Sequence, residues 1–134
     1  PDSLKRLGID TIALYQIHWP TPDEDLEEAW EAIDQLIRQG KVRCAGVSNC
    51  QIPQLERLMP IRPPASLQPP YSMIDRGVEK ELLGYCGQHE IGVVCYSPMH
   101  KGLLTDKFSR EYVERLPESD HRKQRDPAFQ EPRL

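Results

Sequence analysis

Four places in this chain bring together side chains able to do chemistry: His18, Ser48 with Asn49, Gln68, and Tyr96 with Ser97. Asn49 and Gln68 can each donate and accept hydrogen bonds, Ser48 can donate one, and Tyr96 offers a ring face for stacking. Polar, uncharged and aromatic groups of this kind suit a flat ring carrying an amide, a nicotinamide being one candidate. The same residue types also cap helices and make turns, so Ser48, Asn49 and Ser97-Pro98 are readable as local punctuation as well. His18 has two readings of its own: a packed imidazole satisfied by backbone, or a group directed at a substrate.

These groups can meet only if the elements carrying them are ordered in one sheet. Short apolar runs alternate with stretches whose apolar residues recur every three or four positions, which is a βα rhythm. The first run, from Ile12 to His18, is apolar on both faces, as expected of a parallel strand covered on both sides. Thr21-Pro22-Asp23-Glu24 then supplies helix-start chemistry, and Leu26, Ala29, Trp30, Ile33 and Ile37 hold helical spacing until Gly40. Arg43 to Ser48 reads as a second strand, followed by a short helix through Leu55, Leu58 and Met59 that stops at Pro60. Ala65 to Gln68 is a third strand stopped by Pro69-Pro70, and a helix through Val78, Leu82, Leu83 and Cys86 follows. Gly92 to Tyr96 is the fourth strand. Leu103 to Leu116 has room for a short helix, whereas 117–134 is charged, proline-containing and without apolar period, hence a loop. Periodicity alone does not separate half a barrel from a doubly wound open sheet. The polar groups at the carboxyl ends of all four strands favour the barrel.

Composition narrows the function classes. The 134 residues are 38% hydrophobic and 28% charged, with no apolar run near the roughly 20 residues a membrane span requires. A net charge of -4 without a block of Lys and Arg gives no electrostatic basis for a nucleic-acid or anionic-lipid partner. Cys44, Cys50, Cys86 and Cys95 form no Cys-x-x-Cys pair and read as reduced core thiols of a cytoplasmic protein; with His89, His100 and His121 they show no zinc-ligand spacing. Glycine patterns for a Rossmann turn, a phosphate-cradling loop or an α/β-hydrolase elbow are absent. The acidic run Asp23, Glu24, Asp25, Glu27, Glu28 and Glu31 is expected to be the solvated face of the first long helix. Pro1 without an initiator methionine reads as a cut, and a complete eight-fold barrel needs roughly 250 residues.

Gln16-Ile17-His18-Trp19-Pro20, Gly46-Val47-Ser48-Asn49, Gln68-Pro69-Pro70-Tyr71-Ser72 and Tyr96-Ser97-Pro98 with Gly102-Leu103-Leu104-Thr105, in this order and spacing, together resemble the aldo-keto reductase family. The resemblance runs from Ser3 to Pro132. It implies a partial (β/α)8 barrel of about four βα units, strands four to seven, forming one partial domain over residues 1–134. It also implies an NAD(P)H-dependent reduction of aldehydes or ketones, with NADPH as cofactor, NADH possible, and a small carbonyl compound as substrate. His18 resembles the histidine that polarises the substrate carbonyl, and Trp19 a substrate-pocket residue. Ser48, Asn49 and Gln68 resemble the carboxamide-holding set, Tyr96 the stacking aromatic, and Ser97 and Met99 positions near the cofactor phosphates. Met99 departs from the commoner leucine and Cys50 from the commoner aromatic. The family's proton-donor tyrosine, with its lysine and aspartate, has no counterpart here, so these residues alone are expected to show no turnover. A nicotinamide-binding regulatory protein without efficient catalysis is the alternative implied, and nothing in the sequence selects an oligomeric state.

Overall fold

A computed structural model of the chain describes residues 2–106, 108–125 and 129. Strands β1 (Ile12–Ile17), β2 (Val42–Ser48), β3 (Ser66–Gln68) and β4 (Gly92–Val93) form one sheet in the order β1-β2-β3-β4, every pairing parallel. Helices α2 (Leu26–Arg38), α3 (Ile52–Leu58) and α4 (Leu82–Gln88) make the crossovers; α1 (Asp2–Leu7) precedes them, and α5 (Arg110–Glu114) and α6 (His121–Arg125) follow. Spatial order that follows chain order, with no reversal, is the winding of a barrel rather than of a doubly wound sheet, whose order reverses at a switch point.

Register decides what each face carries, because alternate residues of a strand share a face and partners in register share it too. One row reads Ile17, Val47, Leu67 and Val93. Together with Ala45 this face meets the helices, where Val47, Leu67, Trp30, Leu55 and Leu58 are completely or almost completely excluded from solvent. The indole Nε1 of Trp30 donates to the Arg62 carbonyl at 2.9 Å, which satisfies a polar atom this core would otherwise strand. The neighbouring row is Gln16, Gly46, Ser66 and Gly92, on the face no helix covers. Ser66 Oγ reaches across β2 to Gln16 Oε1 at 3.1 Å. Gly46 makes that reach feasible: a Cβ there would lie 2.2 Å from Ser66 Oγ.

Several expectations need correction. β1 is not covered on both sides: it is a sheet edge, with Leu14 40% and Tyr15 38% exposed. β4 stops at Val93 rather than Tyr96, because its partner segment contains Pro69 and Pro70, which have no N–H to give a ladder. Extended pairing nevertheless continues through Val94 N to Leu67 O at 3.0 Å, Tyr96 N to Pro69 O at 3.0 Å, and a single bridge between Pro70 and Tyr96. The helix expected from Val78 divides into a 3₁₀ turn, Gly77–Glu79, and α4. Helix α1 was not expected, and α6 lies in the stretch expected to be loop; of 126–134 only Phe129 is among the described residues. Ala29 faces solvent despite its helical spacing, and Asp34, on the other flank of the apolar stripe, is buried. Cys50 and Cys86 are buried, Cys44 is half-buried and Cys95 is exposed, so Cys95 is no core thiol; all four are free.

Asp34 is the buried charge of this layer, and it is paired twice: Arg62 Nε donates to Oδ1 at 2.5 Å and Arg38 Nε to Oδ2 at 2.7 Å. Arg62, then Arg38, hold its carboxyl below the usual carboxylate range. A depressed folded-state value stabilises above the unfolded value of 3.8 and is lost as pH falls through the folded one. Thermal melts taken from neutral pH down to acid should therefore lose stability more steeply for the wild type than for Asp34→Asn, which starts lower and falls less. Burial pushes the Cys50 thiol up to about 12, so a thiol-disulfide reagent at mildly alkaline pH should label Cys95 at once and Cys50 only on unfolding.

Candidate functional site

At the carboxyl edge of the sheet the next row after Gln16 and Gly46 is Ser48 beside Gln68. The chain leaves β2 through Asn49, whose φ of 62° lies in the left-handed region that asparagine tolerates better than most residues. Asn49 N donates to Gln68 O at 3.2 Å, and the side chain becomes the hub of the edge. Its Nδ2 donates to His18 O at 2.9 Å and to Ser48 Oγ at 3.1 Å, while its Oδ1 accepts from Tyr96 Oη at 2.9 Å. Ser48 Oγ, buried, donates to Gln68 O at 2.7 Å. The ends of all four strand segments are thus tied together through one residue, the Asn49 side-chain amide reaching His18, Ser48 and Tyr96 and its backbone N–H reaching Gln68.

Of the residues expected at the site, His18, Ser48, Asn49, Gln68 and Tyr96 converge here. The His18 ring is solvent-exposed and lies against Trp19, centroids 5.9 Å apart. Trp19, 57% exposed, shares a groove of about 670 Å³ with Asn49, Gln51, Pro70, Val78 and Tyr96. Ser97 and Met99 make no hydrogen bond to the Asn49 hub among the described residues. Ser97 has φ 53°, its carbonyl accepts from His100 N at 2.8 Å, and half-exposed Met99 accepts from Gly102 N at 3.0 Å. They sit in the turn beyond Tyr96 rather than at the hub. One expectation shifts in detail: the Ser48 hydroxyl proton is committed to the Gln68 carbonyl, so toward a ligand Ser48 offers an acceptor rather than a donor.

Sequence reasoning missed the groups around this edge. Asp23, exposed as expected, and Glu27, half-buried, both pair with Arg57: Nη1 donates to Asp23 Oδ2 and Nε to Glu27 Oε1, both at 2.6 Å. Arg57 draws both carboxyls below their usual range, whereas Glu24, Asp25, Glu28 and Glu31 are exposed as expected. Gln54 closes a capping box with Gln51, a signal legible as Gln-x-x-Gln ahead of an apolar run. The His100 ring, with Nδ1 3.4 Å from Ser72 Oγ and a stacked contact to Phe129 at 6.2 Å, has a buried Nε2 with no partner among the described residues. No local spacing announces that contact.

A sheet wound in chain order with a shared polar cluster at its carboxyl edge defines a segment of a (β/α)8 barrel whose site is built from several strand ends. Residues 1–131 match the model of the Aldo/keto reductase family, and the chain belongs to that family. It is 40% identical to the aldo-keto reductase YhdN of Bacillus subtilis, covering 99% of this chain and 39% of that protein. It is 36% identical to the NADH-specific methylglyoxal reductase of Escherichia coli over 83% of this chain and 35% of that one. Among solved structures, the glycerol dehydrogenase AKR11B4 from Gluconobacter oxydans superposes with a TM-score of 0.90 at 38% identity, covering 98% of this chain and 39% of that chain. An aldo/keto reductase from Klebsiella pneumoniae in complex with NADP and acetate gives 0.70 at 33% identity, over 79% of this chain and 38% of that one. The chain thus spans about two fifths of the length of these relatives.

The buried Ser48 hydroxyl holds the β2–β3 edge together. Ser48→Ala, which leaves the Gln68 carbonyl without that donor, should cost about 1–3 kcal/mol in urea unfolding. Gln68→Met, whose side-chain amide has no partner among the described residues, should stay within about 0.5 kcal/mol of wild type in the same titration.

Proposed function

We propose that this chain supplies the nicotinamide-binding and carbonyl-polarising part of an NAD(P)H-dependent oxidoreductase that reduces small aldehydes or ketones. The observation carrying this reading is the valence left over at the Asn49 hub. Both Nδ2 protons of Asn49 are used, on His18 O and Ser48 Oγ, and one lone pair of its Oδ1 is taken by Tyr96. Acceptor capacity remains on Asn49 Oδ1 and Ser48 Oγ, and a complete amide, donor and acceptor, remains on Gln68. That is the complement of a carboxamide, whose NH₂ would meet Asn49 and Ser48 and whose carbonyl would meet the Gln68 amide. The bound nicotinamide supplies a hydride.

The residues of this chain do the rest of their work by binding and orientation. Tyr96, pinned through its hydroxyl, holds its ring at the edge where a flat ligand would lie. Ser97 and Met99, in the following turn, approach the cofactor's phosphates in this reading. The exposed His18 imidazole donates a hydrogen bond to the substrate carbonyl oxygen, and Trp19 walls the substrate side. No tyrosine of this chain stands in the proton donor's place, so the protonating group comes from outside these residues and the chain alone turns nothing over. NADPH is the preferred cofactor in this reading, supported by the NADP-bound relative, with NADH second. Four free thiols support a cytoplasmic setting.

The test is cofactor oxidation by the full-length protein across a panel of aldehydes and ketones. Turnover with NADPH or NADH is expected, with His18→Ala lowering kcat/KM by about 10²–10⁴-fold at unchanged cofactor affinity and Gln68→Met weakening cofactor binding instead. Cofactor binding without turnover on any carbonyl would favour the regulatory reading, and no binding at all would end both.

A further inference from the structure

Two loops meet at the candidate site: the one carrying His18 and Trp19 out of β1, and the one carrying Asn49 out of β2. Beyond the bond from Asn49 to the His18 carbonyl, two side chains of α3, Gln54 and Arg57, reach the segment that follows Trp19, and of the two only Gln54 also bonds the chain just past Asn49. Gln54 Oε1 accepts from Gln51 N at 2.8 Å, two residues past Asn49, and Gln54 Nε2 donates to Asp23 Oδ1 at 2.8 Å, four residues past Trp19. Asp23 is in turn fixed by Arg57, whose Nη1 donates to its Oδ2 at 2.6 Å and whose Nη2 donates to its backbone carbonyl at 2.9 Å. Arg57 is itself oriented by two bonds to Glu27, at 2.6 and 2.9 Å.

We propose that Gln54 is a positioning residue: its amide, spanning Gln51 and Asp23, sets the separation of the Trp19 loop from the Asn49 loop and so the width of the groove between substrate wall and cofactor hub. The inference rests on the reading that Trp19 and Asn49 line a carbonyl-reducing site. The chemistry of position 54 is specific. An amide presents one acceptor and one donor at its two ends, and each end is used. A carboxylate there would keep the Gln51 cap but set two acceptors of like charge against each other at Asp23, opening the tie without changing shape. The cofactor side has further bonds of its own, Asn49 N on Gln68 O and Ser48 Oγ on the same carbonyl, so loss of the Gln54 tie acts on the Trp19 side, where Arg57 alone then holds Asp23, and leaves those two bonds in place.

That asymmetry gives a test on the full-length protein. Gln54→Glu should raise KM for the carbonyl substrate on the order of tenfold, as expected for a small misplacement of a positioning wall, while the dissociation constant for NADPH changes by less than about twofold. Asp23→Asn alone should act in the same direction. The double variant Asp23→Asn with Gln54→Glu restores a donor–acceptor pair of reversed polarity, the asparagine Oδ1 still accepting from Arg57, and should return KM to near wild type. Fluorine NMR of 5-fluorotryptophan-labelled protein reads the loop without turnover: the exposed Trp19 resonance should shift in Gln54→Glu and return in the double variant, with that of buried Trp30 unmoved. An unchanged Trp19 resonance and KM in Gln54→Glu overturns the proposal, as does a defect the double variant fails to rescue. A Trp19 resonance that responds and is rescued in a protein reducing no carbonyl upholds the tie and overturns the enzymatic reading instead.

Discussion

The parallel register that sets Ser48 beside Gln68 is the constraint on which the rest of the structure depends. A slip of one residue would turn Ser48 and Gln68 toward the helices and bring Val47 and Leu67 to the open face, exchanging a buried apolar row for a polar one. With the register as it is, Ser48 Oγ meets the Gln68 carbonyl, Asn49 N meets the same carbonyl, and the Asn49 amide is left with its two ends free to gather His18, Ser48 and Tyr96. A cluster drawn from four separated stretches of chain thus rests on two backbone pairings and one side-chain amide.

The two faces of the sheet are stabilised by different physics. Toward the helices, Val47 and Leu67 pack with Trp30, Leu55 and Leu58 at essentially complete exclusion of solvent, and truncating one of these leucines would cost about 2–5 kcal/mol through lost burial and residual cavity. On the opposite face the rows toward the carboxyl edge are polar or bare: Gln16, Gly46 and Ser66, then Ser48 and Gln68. Gly46 is small for a reason that only the crossing Ser66 to Gln16 bond supplies. The exposure of Leu14 on β1 and Val94 beyond β4, the two outer strands, shows that this face is built for neighbours of the kind a closed barrel provides.

Charge on α2 and on the 3₁₀ turn Asp23–Asp25 that precedes it illustrates how a local rule fails selectively. Most of this acidic run is solvated, as an amphipathic helix requires. Glu27 is half-buried and Asp23, though exposed, is paired, because Arg57, on α3, arrives over them with a guanidinium fork that matches two carboxylates at once. Asp34, spaced onto the inner face, is tolerated there only because Arg62 and Arg38 both reach it.

What the sequence determined by itself is what depends on short-range order. The βα rhythm, the termination of strands by Pro69-Pro70, the helical stripe of Leu26, Trp30 and Ile33, and the placement of His18, Ser48, Asn49, Gln68 and Tyr96 at strand ends follow from period, propensity and turn chemistry within a few residues. The ordered motifs also made the family legible. Tertiary structure alone decided which groups those side chains would meet: that Ser48 gives its proton to a carbonyl twenty residues away, that Asn49 is the hub rather than one donor among several, that Cys95 is exposed, and that Asp23 is held by Gln54 and Arg57. Each of these depends on contacts between elements far apart in the chain. Such contacts are fixed by sheet register and helix packing, which no local window encodes.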